Sequence, residues 1–206
     1  MSALSIDAAV VAVIAAGRHA AAHGWVPATA GNFSVRAGDH IAITRTGRNK
    51  GLLQTEDVAV VPLGSPVGPD LSAEAALHFA RYAADPTVGA VSHAHLEDAA
   101  LLGRRAVEDG QLLLQGWELQ KAFAGCATHL EALRVPIVPN DQDTQALAAR
   151  AELSLRLSGD VKTAPGYLVA GHGLYTWGRT PADTTRHLEA FAALLSLHLR
   201  WLESHS

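Results

Sequence analysis

Short β-branched segments alternate with longer helix-forming segments along this chain, and this alternation constrains its fold more than any other feature. The predicted strands are 41–44, 58–61, 88–93, 135–139 and 166–170, and the predicted helices are 5–23, 72–84, 96–107, 144–157 and a long terminal helix beginning at Pro181. The prolines in 135–139 predict a strand at a sheet edge or a bulge. The alternation favours an α/β sandwich with helices on both sides of a sheet.

The length of the chain predicts a single domain. Its 206 residues fall within the usual size of one domain, and they contain no internal repeat and no long polar linker. Apolar residues make up 49% of the chain and charged residues 17%, which excludes a disordered chain and a charged coiled coil. We therefore expect residues 1–206 to form one compact domain.

The charge distribution excludes several classes of partner. Sixteen Lys and Arg against twenty Asp and Glu give a net charge of −4, and no segment concentrates the basic residues. Binding to nucleic acid or to an anionic membrane is therefore not expected. The longest apolar run, 8–16, is about half of what a membrane span needs, and no basic segment precedes it, so we expect a cytoplasmic protein.

Histidines are the residues that suggest a metal site. A single cysteine, Cys126, excludes a multi-thiolate zinc site, whereas the chain has eleven histidines. His93 and His95 end a predicted strand, and residues two apart on a strand project from the same face. Alone, such a pair is also compatible with histidines that only hydrogen-bond to backbone. His172, between two glycines after another strand, supplies a third imidazole, and three imidazoles suit a catalytic divalent ion with an open position.

Two glycine-containing polar loops, 30–34 and 44–51, lie next to predicted strands. Their backbone N–H groups and hydroxyls are suited to an anion such as phosphate, although ordinary turns have the same composition. Ser72 is predicted to cap a helix, a position from which it can also donate to phosphate. Arg48 and Lys50 are predicted to be solvated surface charges.

Seven ordered motifs resemble the class II aldolase and adducin family over residues 23–202. They are Ala30-Gly31-Asn32-x-Ser34, Ile43-Thr44-x-Thr46-Gly47, Ser72-Ala73-Glu74, His93-x-His95, Gly116-Trp117-Glu118-x-x-Lys121, Pro139-Asn140-Asp141-Gln142-Asp143 and Gly171-His172-Gly173-Leu174-Tyr175-x-Trp177-Gly178. Ala30 and Ala94 replace a serine and a threonine usual in the family, without removing a group that the chemistry needs. Arg45 replaces a usual proline, so we expect a less restrained loop there.

The resemblance implies a fold and a set of site residues. The fold would be a single-domain α/β/α sandwich around a mostly antiparallel sheet, assembled as a homo-oligomer, usually a tetramer. His93, His95 and His172 would hold one Zn²⁺ per subunit. The loops would bind a substrate phosphate through Asn32, Thr46, Gly47 and Ser72.

Two glutamates are candidates for the acid/base group. Within the family, the similarity is closest to members that remove water from 5-methylthioribulose 1-phosphate in methionine salvage, and it implies that Glu118 is their catalytic acid/base. Aldolase members use a carboxylate at the position of Glu74, which is also explained as a first-turn helix acid. The alternatives are therefore a sugar-phosphate aldolase, a pentulose-phosphate 4-epimerase, or a non-catalytic adducin-like interaction protein.

Overall fold

The computed structural model describes residues 4–157 and 159–205. Its helices are α1 (Ile6–Ala22), α2 (Ala75–Ala84), α3 (Glu97–Arg105), α4 (Thr144–Arg156) and α5 (Pro181–Glu203). Its strands are β1 (Asn32–Ala37), β2 (His40–Thr44), β3 (Val58–Pro62), β4 (Ala90–Ala94), β5 (Gln111–Leu114), β6 (Leu133–Val138), β7 (Lys162–Thr163), β8 (Gly166–Val169) and β9 (Gly173–Gly178). Every predicted helix and strand is present, with ends shifted by a few residues.

The strands form one mixed sheet in the described part of the chain. Their order is β3-β2-β1-β4-β9-β8-β6-β5, with β7 beside β6. Most neighbouring strands are antiparallel, and only the pairs of β6 with β7 and with β8 are parallel. The predicted α/β fold with a mostly antiparallel central sheet is therefore confirmed.

Helices cover both faces of this sheet. Residues of α1, α3 and α5 share one buried apolar cluster, and residues of α2 and α4 share a second one. Local groups define both ends of α1, since the Ser5 hydroxyl accepts from the Ala8 N–H at its start and Gly24 has a φ of +74° after its end.

The prediction that the proline-containing strand lies at an edge or a bulge was wrong. β6 lies inside the sheet, and all of its residues are buried. The Ile137 N–H donates to the Gly110 carbonyl on the β5 side, so the nitrogen of Pro136 faces the opposite side. On that side, Pro136 lies between the residues of β6 that pair with β7 and those that pair with β8. The missing N–H of the proline therefore removes no hydrogen bond between strands.

Four strands, β1, β5, β7 and β9, were not predicted from the sequence. β9 is a central strand, although it begins and ends with glycine. Glycine has a low strand propensity, so the sequence of β9 does not show a clear strand pattern. In the fold, pairing with β4 and β8 stabilises β9.

None of the described helices is both long enough and apolar enough to span a membrane.

Candidate active site

The three predicted histidines converge at one end of the central strands. His93 lies on β4, His95 follows it, and His172 lies in the turn between β8 and β9. Nε2 of His95 lies 3.0 Å from Nε2 of His93 and 3.2 Å from Nε2 of His172. The structure therefore brings together side chains that are almost eighty residues apart.

Glu74 completes this cluster. It lies at the start of α2, where one carboxylate oxygen is 2.9 Å from Nε2 of His172 and the other is 3.7 Å from Nε2 of His93. The second oxygen also accepts a hydrogen bond of 2.7 Å from the Asn32 side-chain amide. The ligand atoms of the four cluster residues all lie within 4.8 Å of one another. Of the two explanations offered by the sequence for Glu74, the structure favours an active-site position.

Glycines allow the backbone to bring this cluster together. Gly31 has a φ of +77°, and a Cβ there would lie 2.7 Å from the carbonyl oxygen of His93. Gly171 has a φ of +67° and forms the turn that presents His172. A side chain at either position would strain the turn, and at Gly31 it would also push β1 away from β4.

The protonation of the cluster suits metal binding. Burial lowers the pKa of His93 well below its usual value, and burial together with His172 lowers the pKa of His95. Nδ1 of His93 donates to the Leu174 carbonyl at 2.9 Å, which leaves the lone pair of Nε2 directed into the cluster. Burial would raise the pKa of Glu74, but hydrogen bonds from His172 and Asn32 and the charges of His93 and His172 hold that pKa well below its usual range.

Three imidazoles and a carboxylate therefore face one point. Three nitrogens and one oxygen form a donor set that fits a divalent transition metal such as zinc. The donor separations of about 3 to 4 Å match ligands that share one ion at bond lengths of about 2 Å. These residues could hold a catalytic ion.

The cluster lies at a cleft of about 480 Å³. The four predicted phosphate-binding residues line this cleft together with three members of the donor cluster, Glu74, His95 and His172. The other lining residues are 28–31, Arg45, Lys50, Ala73, 140–142, Thr144 and Leu147. The loops predicted to bind an anion and the donor cluster thus share one cavity.

Arg45 forms hydrogen bonds that stabilise the loop containing Thr46. Its guanidinium donates to the Asp70 carboxylate at 2.9 Å and to the Glu56 carbonyl at 3.0 Å. The Thr46 N–H donates to the Asp70 carbonyl at 3.0 Å. These cross-links restrain the loop in the absence of the usual proline, and the expectation of a less restrained loop stays a prediction.

Glu118 does not line the cleft of its own chain. It lies in a short helix, 118–122, between β5 and β6, and its side chain is 69% exposed. It pairs with Lys121 and, at 3.2 Å, with Nδ1 of His129. Its hydrogen bond with Lys121 holds the pKa of Glu118 below its usual value. The structure therefore separates Glu118 from the donor cluster within one chain.

The prediction that Lys50 is a solvated surface charge was wrong. Arg48 is 53% exposed, as predicted, but Lys50 is only 3% exposed and lines the cleft. Nothing in the local sequence distinguishes these two basic residues, because the burial of Lys50 depends on packing against distant parts of the chain.

Comparison with known proteins identifies the family. The family model described as class II aldolase and adducin N-terminal domain matches residues 11–199. The chain belongs to the class II aldolase and adducin family. The resemblance noted in the sequence motifs is thereby confirmed, and the donor cluster and the cleft are parts of a class II aldolase domain.

Curated relatives in the class II aldolase and adducin family are dehydratases by name. A methylthioribulose-1-phosphate dehydratase from Parvibaculum lavamentivorans is 52% identical over 188 residues, covering 91% of both chains. Another, from a Bradyrhizobium species, is 49% identical over 191 residues, covering 91% of this chain and 88% of the relative.

Solved structures support the class II aldolase fold. The L-fuculose-1-phosphate aldolase of Thermus thermophilus matches with a TM-score of 0.75 and 25% identity, covering 96% of this chain and 97% of that one. A further L-fuculose 1-phosphate aldolase structure matches in fold with a TM-score of 0.79, covering 99% of this chain and 90% of that one.

Proposed function

We propose that this chain is a methylthioribulose-1-phosphate dehydratase, a hydro-lyase that converts 5-methylthioribulose 1-phosphate to 2,3-diketo-5-methylthiopentyl 1-phosphate in methionine salvage. The observation that carries the proposal is the convergence of His93, His95, His172 and Glu74 at a cleft that also contains the anion-binding loops. Relatives about half identical over most of their length carry this name.

We propose one Zn²⁺ per subunit, held by His93, His95 and His172, with Glu74 beside them. When bound, the ion would act as a Lewis acid on oxygens next to the carbon that loses its proton, which stabilises the negative charge of the transition state. The donor chemistry supports this assignment, since burial favours the neutral form of His93 and His95, and the lowered pKa of Glu74 keeps its carboxylate ionised.

Residues of the two loops and of the segment just before α2 would position the substrate through its phosphate group. Asn32, Thr46, Gly47 and Ser72 would bind the phosphate, which lies several bonds from the reacting carbons. Binding energy at this remote group orients C3 and C4 at the donor cluster, and such positioning lowers the barrier.

Proton transfer from C3 requires a base, and a carboxylate can act as one. We propose that Glu118 takes the C3 proton and then donates it to the departing C4 hydroxyl, which leaves as water. The resulting enol tautomerises to the 2,3-diketone. Because Glu118 lies outside the cleft of its own chain, it would have to reach the cleft of a neighbouring copy. We therefore propose a cytoplasmic homotetramer, in which each chain, residues 1–206, contributes one class II aldolase domain.

An aldolase is the second candidate, and Glu74 is the observation that favours it. This carboxylate is the acidic group nearest the histidines within one chain, at the position that aldolase members use. A non-catalytic adducin-like role does not explain a cleft with four metal donors.

One assay tests the proposed function against these alternatives. Purified protein is incubated with 5-methylthioribulose 1-phosphate, and the products are identified by mass spectrometry. We expect a product lighter by one water, with the diketone absorbance. Carbon–carbon cleavage would support the aldolase, and stereochemical inversion without loss of water would support the epimerase.

A further inference from the structure

Lys50 is a buried lysine at the edge of the cleft. It begins a short helix, Lys50–Leu52, that packs closely on α1. At the contact with α1, a Cβ on Gly17 would lie 2.5 Å from Cδ1 of Leu53 and 3.5 Å from the carbonyl oxygen of Lys50. This packing fixes the backbone of Lys50 and holds its side chain among the residues that line the cleft.

The ammonium group of Lys50 has only neutral hydrogen-bond partners. Its Nζ donates to the carbonyl of Thr29 at 2.6 Å and to the carbonyl of Arg48 at 2.9 Å. An ammonium has three N–H groups, so one remains for a ligand in the cleft. Among the described residues Lys50 forms no ion pair, and the neighbouring carboxylate of Glu74 is already bound to His172 and Asn32. A buried charge without a direct ion pair is costly, and a bound anion would offset this cost.

Backbone strain marks the same wall of the cleft. Ala28 and Thr29 have positive φ values of +49° and +65°, which non-glycine residues rarely adopt. Both residues line the cleft, and Lys50 holds the second one through its carbonyl. Strained residues of this kind cluster at ligand sites, where the surrounding contacts maintain them.

We propose that Lys50 binds the phosphate group of the substrate. The inference rests on the proposed function only in that the substrate is phosphorylated. The predicted phosphate-binding loops supply neutral donors, and Lys50 adds a positive charge in the same cavity. Burial lowers the pKa of Lys50, Glu74 partly opposes this effect, and a bound dianion would favour the charged ammonium further.

The test uses inorganic phosphate as the probe. The dissociation constant of phosphate is measured by titration calorimetry for the purified protein and for Lys50→Met, Lys50→Gln and Lys50→Arg. Loss of a charge-assisted hydrogen bond is expected to weaken binding about 10- to 100-fold in Lys50→Met and Lys50→Gln, whereas Lys50→Arg stays within a few-fold. Arg48→Met, an exposed basic residue of the same loop, is the matched control and should bind phosphate normally.

Substrate kinetics distinguish binding from a structural role. With the phosphorylated ketose, Lys50→Gln should raise KM about as much as it weakens phosphate binding, with a smaller change in kcat. A fall in kcat with unchanged phosphate affinity would overturn the proposal, as would failure of the unaltered protein to bind phosphate at millimolar concentration. If Lys50→Met does not fold, the phosphate affinity of Lys50→Gln tests the proposal, because glutamine keeps a donor for the two carbonyls. Phosphate binding that depends on Lys50 in a protein without dehydratase activity would support this inference and reject the proposed function.

Discussion

Gly173 and Ala94 lie so close together that a methyl group on Gly173 would overlap the carbonyl oxygen of Ala94. The same methyl group would lie 3.1 Å from Cα of His95. Gly173 follows His172 and begins β9, and Ala94 ends β4 between the other two histidines of the cluster. This backbone contact sets the distance between the part of the site that carries His172 and the part that carries His93 and His95.

We expect Gly173→Ala to weaken both folding and metal binding. Overpacking at a backbone contact costs about 1–3 kcal/mol, and the strands must separate to accommodate the methyl group. Thermal unfolding and metal content measure the two effects. Gly68→Ala is the control, because a Cβ there meets nothing within 4 Å. Unchanged metal content in Gly173→Ala would show that the contact does not position the histidines.

The metal prediction concerns the three histidines. The purified protein should hold about one divalent ion per chain, and His93→Ala and His172→Ala should each lose most of it. Elemental analysis by mass spectrometry gives the stoichiometry. The surface residue His40, which pairs with Asp39, provides the control variant His40→Ala. Full metal occupancy in His172→Ala would reject the site.

The acid/base prediction compares Glu118 with Glu74. Glu118→Gln should lower kcat by about 10²- to 10⁴-fold and stop exchange of the C3 proton with deuterium, while metal and substrate still bind. Glu131 is an exposed residue of the same connection between β5 and β6, and Glu131→Gln should leave kcat and proton exchange unchanged. A larger loss in Glu74→Gln, with near-normal dehydration by Glu118→Gln, would favour the aldolase-like arrangement.

Mixed oligomers test whether Glu118 serves another copy. In oligomers assembled from His172→Ala and Glu118→Gln chains, some sites would combine intact histidines of one chain with an intact Glu118 of its neighbour. We therefore expect the mixture to regain part of the activity that each variant lacks. Without such recovery, Glu118 does not act across subunits.

The phosphate-binding prediction concerns Thr46, which is exposed in the cleft. Thr46→Val should raise KM for the phosphorylated ketose about tenfold, the effect of one hydrogen bond to a charged group, with little change in thermal stability. A dephosphorylated analogue is the comparison. If it binds as tightly as the phosphate ester, the loops are only turns.

The pH prediction concerns His78, a fully buried histidine whose hydrogen-bond partner is the Ser34 hydroxyl. Burial lowers the pKa of His78 to about 3 in the folded chain, against an ordinary value of 6.5. Below about pH 6.5 the unfolded chain binds a proton that the folded chain does not. The contribution of His78 to stability is therefore complete above that pH and is lost as the pH falls toward 3.

Denaturant unfolding of metal-free protein measures this dependence. Between pH 6 and pH 4 the free energy of unfolding should fall by up to about 1.4 kcal/mol per pH unit because of His78. His78→Gln should reduce this slope, and His40→Gln, at a half-buried histidine that pairs with Asp39, should keep it. An unchanged slope in His78→Gln would show that His78 is not buried as a neutral group.

Local chemistry explains what could be predicted of the site. The pairing of His93 with His95 follows from the two-residue period of a strand, and the role of Gly171 follows from the backbone that only glycine adopts easily. The motif order further identified the family and led to the prediction that two loops bind phosphate. These features depend on residues within a few positions of one another, or on the resemblance itself.

The positions of Glu74, Lys50 and Glu118 relative to the cleft could not be predicted from the sequence. An acid at the start of a helix and a lysine in a loop are usually exposed. Only tertiary packing brings Glu74 to the histidines and Lys50, whose short helix packs on α1, to the cleft. Glu118 lies on a segment that packs on α5 instead.

The sequence by itself therefore determined the five helices, five of the nine described strands, the histidine pair and the family, because periodicity, capping and motif order are local properties of the chain. The tertiary structure decided that β9 is a central strand, that Glu74 and His172 meet, and that Lys50 is buried. Each of these depends on contacts between residues far apart in the chain, and their free energy is gained only when the strands pair and the helices pack on the sheet.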